Sequence, residues 1–323
     1  MSELIYTTVI ESKIYLLVYR FKNGFLNSKE RKDCDVTASE LGSLLGVSPY
    51  CSRFKFWFKK MLILCGGEEG IRKRFGELLK RNVVCTPNPY IQPMLEFGTQ
   101  HEKFALQAFS DWMDVCKQDI DWPYKDVKVV PNNNYYFKGS IYTSKDGDDS
   151  LVSEPPFPNI GCAPDGFLME SSDVFEKEGK LQNVLATIEV KCPYTKRFFQ
   201  PHDHIPDHYL LQVMTQIHLT GVLGGYFVSW TPSYIRVFFV PKLDFAWHYI
   251  LPLITDFITT YIHGSNKPPE TIGKNDKKKV TDLLEKVKKE TYRFSLWEIP
   301  INNSQKSKEL YNQIGWRPLG TQE

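Results

Sequence analysis

Gly161-Cys-Ala-Pro-Asp-Gly166 and Ile188-Glu-Val-Lys-Cys-Pro193 decide how this chain is read. The second stretch closes a β-branched segment, Val184–Val190, and Cys192-Pro193 ends it. Side chains along a strand alternate with period two, so Glu189 and Lys191 share one face while Val190 points into the core. The first stretch puts Asp165 at the turn after a strand beginning at Ile160, from which its carboxylate projects. Together they assemble what a hard divalent cation prefers: the Asp165 and Glu189 carboxylates and the Val190 carbonyl as Mg²⁺ ligands, with Lys191 beside the coordinated water. Either piece alone reads as a turn aspartate or a solvated strand face. The order P-D, then E-x-K, on adjacent predicted strands is what selects a metal site.

Outward from this pair, Val127–Val130 and Tyr135–Tyr142 are also short, β-branched or aromatic, and bounded by Asn, Gly, Asp and Pro, as is Ile160–Met169, the signature of a sheet with hairpin turns. A helix over about Asp207 to Leu219 follows, then strands Tyr226–Trp230 and Ile235–Val240, then a helix within Leu243–Ile262. Upstream, Met94 to Val115 reads as one long helix whose apolar face includes Leu95, Phe97, Phe104, Phe109 and Trp112. Thr37 and Glu40 have capping-box spacing before Leu41, Leu44 and Leu45, and Phe54, Trp57, Phe58, Met61 and Leu62 form a second helical stripe. Residues 4–21 suggest a strand or hairpin. The fold class is α/β, a central mixed sheet flanked by helices after a mostly helical N-terminal segment. The expected division is 1–92 N-terminal segment, 93–262 core and 263–323 lysine-rich extension, in one compact domain.

The 323 residues are 42% hydrophobic and 14% aromatic, which excludes disorder as the main state, and the formal net charge of +2 neither demands nor excludes a polyanionic partner. Seven cysteines, odd in number and without a C-x-x-C pair, point to a reducing compartment rather than a disulfide framework or zinc ribbon. His202, His204 and His208 lack the matched cysteines of a tetrahedral zinc site, and an iron–sulfur cluster would need four cysteines, whereas none follows Cys192. The apolar run Tyr249–Ile262 contains Asp256 and is too short to span a bilayer, so no membrane role is expected. The lysines from Lys274 to Lys289, interleaved with Glu285, read first as a solvated helix and second as a nucleic-acid contact.

With these motifs in place the sequence resembles the PD-(D/E)XK nuclease superfamily, and within it the lambda exonuclease, YqaJ-like viral recombinase and alkaline nuclease branch, over about residues 31–260. Glu96-Phe-Gly-Thr-Gln-His-Glu102 is similar to that branch's helical Gly-x-x-x-Glu element, which implies that Glu102 is the third metal carboxylate. Tyr209-Leu-Leu-Gln-Val-Met-Thr-Gln216 resembles its Tyr-x-x-Gln-Val-Gln helix, with Gln212 in the catalytic place; Met214 stands where the second Gln is usual, and Gln216 where a related motif has Tyr. Thr37-Ala-Ser39 and Ser48-Pro-Tyr50 with Arg53 resemble the segment that holds a DNA 5′-phosphate, which implies Ser39, Ser52, Arg53, Tyr209 and either Arg31 or Lys32 as nucleic-acid-binding residues. Ala163 replaces the serine many relatives carry. The segment Thr143 to Asn159 is longer than in compact relatives.

The resemblance implies a Mg²⁺-dependent 5′→3′ exonuclease. It would use two ions, with Mn²⁺ as a substitute, to degrade double-stranded DNA from a 5′-phosphate end to mononucleotides, leaving a 3′ single strand for recombination or repair. It also implies a single-strand annealing protein as partner, a monomer or ring-like homotrimer, and an intracellular, cytoplasmic or nuclear protein of viral origin. The alternatives are an endonuclease on DNA or RNA, a non-catalytic nucleic-acid-binding relative, and a structural protein without a nucleic-acid role.

Overall fold

The computed structural model describes residues 34–76, 92–132, 158–170, 183–194, 200–264, 268–269, 272 and 274–299, and the backbone of the strands Glu3–Glu11, Ile14–Arg20 and Asn134–Gly139. In chain order the first elements are β1 (Glu3–Glu11), β2 (Ile14–Arg20), β3 (Val36–Thr37), a 3-10 turn (Ala38–Glu40), α1 (Leu41–Leu44), α2 (Arg53–Leu64), α3 (Glu68–Phe75) and α4 (Gln92–Cys116). There follow β4 (Val127–Pro131), β5 (Asn134–Gly139), β6 (Ile160–Cys162), β7 (Gly166–Glu170), β8 (Val184–Lys191), α5 (Asp207–Thr220), β9 (Gly224–Trp230) and β10 (Tyr234–Pro241). The described chain ends with α6 (Asp244–Phe257), continued as a π-helix over Ile258–Gly264, then α7 (Lys274–Glu290), β11 (Tyr292–Arg293) and β12 (Trp297–Glu298).

Local chemistry accounts for the starts of these elements. Glu40 Oε2 accepts from both the Thr37 backbone N–H and the Thr37 hydroxyl, each at 2.9 Å, so the expected capping pair forms, although it opens a 3-10 turn before only four residues of α-helix. Ser52 caps α2, its Oγ accepting from the Lys55 N–H at 3.2 Å. Pro93 sits in the first turn of α4, where its missing N–H has no helical partner to lose.

Two sheets form among the described strands, ordered β1-β2-β5-β6-β3 and β11-β10-β9-β8-β7-β4, with β12 also on β10. In the larger sheet β8 and β9 run parallel and the other pairs antiparallel, so it is mixed, as expected. A parallel pair requires a crossover, and α5 supplies it. One face is covered by α4 through Phe97, Ala105, Phe109 and Trp112 against Ile188, Val190 and Val228. The other is covered by α5, α6 and α7 and by the N-terminal helices around Phe227, Phe238 and Val240.

One expected strand is two. Ile160–Met169 divides at Ala163-Pro164-Asp165: β6 pairs with β3 and β5, whereas β7 pairs with β4 and β8. Pro164 has no N–H for a ladder, and the break lets the chain leave one sheet and join the other. Residues 143–157 of the long segment lie outside the described residues, as do Arg31 and Lys32.

Candidate active site

The break that separates β6 from β7 also places Asp165. Its backbone N–H donates to the Ile188 carbonyl at 2.9 Å, and its Oδ2 accepts from the Val190 N–H at 2.6 Å, so the carboxylate is locked to the end of β8. A residue's N–H and C=O leave a strand on the same edge, so the Val190 carbonyl faces the Asp165 side as well. Val190 itself packs in the α4 layer, and Glu189 and Lys191 point to the opposite face, as period-two alternation predicts.

That face is not solvated. Glu189 is 1% exposed and lies under α5, where its oxygens are engaged by three donors. Gln212 Nε2 donates to Oε1 at 2.6 Å, Gln216 Nε2 donates to Oε2 at 2.5 Å, and Lys191 Nζ also reaches Oε1. Gln212 and Gln216 are one helical turn apart, which is why one helix face can hold both oxygens. The ammonium of Lys191 stands 5.1 Å from the centre of the Tyr209 ring. Glu102, on α4, approaches the cluster closely enough for its charge to be felt at Asp165 and for Glu189 to act on it.

The electrostatics follow from three carboxylates and one ammonium away from bulk water. Burial, and then the Glu189 charge, push the Glu102 carboxyl above its usual range, with Lys191 opposing. Burial and Glu189 drive Asp165 well above the carboxylate range, against the pull of Lys191 and the Val190 N–H. For Lys191 burial works to lower the pKa, but the Glu189 and Asp165 charges outweigh it and hold the amine above its ordinary value. Lys191 is therefore an ammonium at neutral pH in this arrangement.

The residues expected at a 5′-phosphate divide. The Ser48–Tyr50 turn reaches the site: the Tyr50 and His208 rings meet edge-on at 5.3 Å, and His208 lies 4.0 Å from the Tyr209 ring. This approach needs Gly42, since a Cβ there would stand 2.5 Å from His208 Cβ. Ser39 is exposed and within 3.1 Å of the Thr37 hydroxyl, and Ser52 is spent on its cap. Arg53 lies over the Phe257 ring at 4.6 Å, where burial lowers its pKa and its Nε has no hydrogen-bond partner among the described residues. His202 bonds Ser229 Oγ at 2.9 Å, and burial first among causes lowers it to about 4, so it is neutral.

The YqaJ-like viral recombinase domain is matched over residues 26–223. The chain belongs to this family. Among solved structures, an alkaline exonuclease (LHK-Exo) from Laribacter hongkongensis is similar over 81% of this chain and 96% of its own, with 16% identity and a TM-score of 0.38. No curated protein matches. The matched span of the YqaJ-like domain takes in Glu102, Asp165, Glu189, Lys191 and all of α5.

The donors in this YqaJ-like site suit a hard divalent cation in kind: carboxylate oxygens from Glu102, Asp165 and Glu189 and a carbonyl from Val190, with the Glu189 charge adding to burial in raising the pKa values of Glu102 and Asp165. Among the described residues, no three His, Cys, Asp or Glu side chains already converge as a ligand set. Glu189 faces Gln212, Gln216 and Lys191 instead. Gln216 is absent from the expected site residues. Its signal was present in the spacing of four from Gln212, on the face that meets the sheet.

Proposed function

We propose that the chain is a metal-dependent nuclease that hydrolyses DNA phosphodiester bonds, acting as a 5′→3′ exonuclease on duplex ends. The observation that carries this reading is the grouping of the half-buried Glu102 and Asp165 with the buried Glu189 and a charged Lys191, at the point where β7 and β8 part. Such a cluster costs folding energy, since the Glu189 charge adds to burial in raising the pKa values of Glu102 and Asp165, and its carboxylate oxygens are matched to cations.

Glu102, Asp165, Glu189 and the Val190 carbonyl would hold one or two Mg²⁺ ions, or Mn²⁺ in their place. Bound there, the metal supplies an activated water and stabilises charge on the attacking and leaving oxygens. Lys191 enters as a cation, so it donates hydrogen bonds and positive charge to the water and the developing phosphorane; as an ammonium it has no lone pair with which to remove a proton. Gln212 and Gln216 fix the Glu189 carboxylate, and Tyr209 packs against the Lys191 ammonium. A terminal phosphate held near the Ser48–Tyr50 turn would set the register of attack, because placing the end of the strand places the scissile bond.

The test is digestion of linear duplexes bearing 5′-phosphate, 5′-hydroxyl or covalently closed ends, in Mg²⁺ and in EDTA, with Lys191→Ala alongside. The exonuclease releases mononucleotides only from open ends, fastest from 5′-phosphate, and is silent in EDTA and in the variant. Cutting of the closed substrate moves the protein to the endonuclease reading. DNA binding with no cleavage under any condition leaves a non-catalytic clamp.

A further inference from the structure

The sheet carries a second set of basic groups beside the cluster. Lys191 on β8 pairs with Ser229 on β9, and Ser229 pairs with Arg236 on β10, so the three side chains form one cross-strand row on the α5 face. Arg293 on β11 pairs with Phe238, and Phe238 with Phe227, which pairs with Glu189; Arg293 therefore belongs to the next row on the same face. Strands lie about 4.8 Å apart, which puts Arg236 on the order of 10 Å from Lys191 along the row.

Arg236 is 9% exposed, an unusual burial for a guanidinium in an otherwise apolar strand, and its Nε has no hydrogen-bond partner among the described residues. It pairs with Asp203 at 3.2 Å, and the same Asp203 oxygen lies 3.6 Å from Arg293. Asp203 comes from the loop before α5, and its side chain is 74% exposed. One exposed carboxylate thus serves two guanidiniums, one of them buried. The loop is held over the row by His202, whose backbone N–H donates to Ser229 Oγ at 2.8 Å. A pair of arginines converging on one oxygen anion is the geometry that takes a phosphate, and Asp203 occupies the place of that anion.

We propose that Arg236 and Arg293 form a backbone-phosphate subsite for the nucleic-acid strand running past Lys191, and that Asp203 is its internal stand-in, displaced when the strand binds. At about 3.4 Å of rise per step, the row spacing corresponds to roughly three nucleotides from the scissile bond. The subsite rests on the nuclease reading above, and deepens it by naming where the polyanion continues.

Fluorescence anisotropy of a labelled duplex and a labelled single strand, in EDTA so that nothing is cut, tests it across a NaCl series with the full chain. Removing one phosphate-binding cation lowers the slope of log affinity against log salt by about 0.9 for duplex and about 0.7 for single strand. Arg293→Gln, at a half-exposed position that leaves the fold intact, is expected to bind roughly fivefold more weakly with that reduction in slope. Arg236→Gln should do the same. Asp203→Asn, freed of the competing anion, should bind more tightly than wild type. Unchanged slope in Arg293→Gln, together with no gain in Asp203→Asn, would overturn the subsite while wild-type binding and cleavage keep the nuclease standing. Wild type that shows no salt-sensitive binding sinks both.

Discussion

At Asp165 a single side chain carries opposite demands. Its raised pKa means that the metal-free fold is stabilised when the carboxyl is protonated, fully so below the ordinary carboxylate range, and loses that contribution as pH rises through the higher folded value. Asp165→Asn keeps an acceptor for the Val190 N–H but removes the charge. In EDTA the variant should melt at a higher temperature than wild type at pH 8, with the gap closing as the pH is lowered, while nuclease activity falls by about 10³-fold or more. A Tm gap independent of pH would show that the carboxylate repulsion is absent. Gln216 makes the complementary case. In Gln216→Met the Glu189 Oε2 is left buried without its 2.5 Å donor, which costs about 1–3 kcal/mol, and the carboxylate is free to turn. Mn²⁺ affinity followed by electron paramagnetic resonance should fall about 10–100-fold, the range for residues that orient ligands, and equal affinity in the two proteins would leave Gln216 a packing residue.

The element that turns a motif into a site is α5, and it sits close because β9 is small where the two meet. A Cβ on Gly225 would stand 2.6 Å from Thr187 Oγ1 and 2.9 Å from Val213 Cγ1 on the helix. Gly225→Ala should therefore cost about 1–3 kcal/mol and, by lifting the helix that carries Gln212 and Gln216, depress kcat beyond what the reduced folded fraction accounts for. Normal turnover per folded molecule would show that the helix position is not limiting. Elements of this kind were legible in the sequence where periodicity and capping residues speak: α4, α5, β8 and the hairpin of β1 and β2 lie where the pattern puts them. The division of Ile160–Met169 was not, because alternation reports which face a residue uses and says nothing of which strand accepts its hydrogen bonds. The E-x-K face showed the same limit. Glu189 and Lys191 read as an acid and a base on one face, but the burial of that face depends on a helix one crossover away. The role of Arg236 is hidden in the sequence for a similar reason. A lone charge in Ile235–Val240 gains meaning only once pairing sets it in a row with Lys191.

Across the molecule, the segment that precedes β3 is tied to the far end of α6 and its π-helical continuation by an ion pair. His263 Nε2 lies 2.7 Å from Asp35 Oδ1, joining residues 228 apart, while Asp35 Oδ2 accepts from the Asn159 N–H at 2.8 Å beside β6. The Asp35 hydrogen bond raises the His263 pKa, burial and Lys60 working against it. A histidine raised in this way gives its full contribution below about pH 6.5, its unfolded value, and loses it as pH climbs through the higher folded value. His263 is about half-exposed, so screening keeps the contribution below about 1 kcal/mol. Because the tie joins distant parts of the chain, its loss should register as a global melting shift and leave the active cluster untouched. Wild type and His263→Ala melted side by side at pH 5.5, 7 and 9 should differ by about 2–4 °C at most at pH 5.5 and converge by pH 9. Convergence means that the tie is the charged pair, since only the imidazolium is attracted to the Asp35 carboxylate; a gap that stays constant with pH would mean the histidine holds the two ends by packing and not by charge.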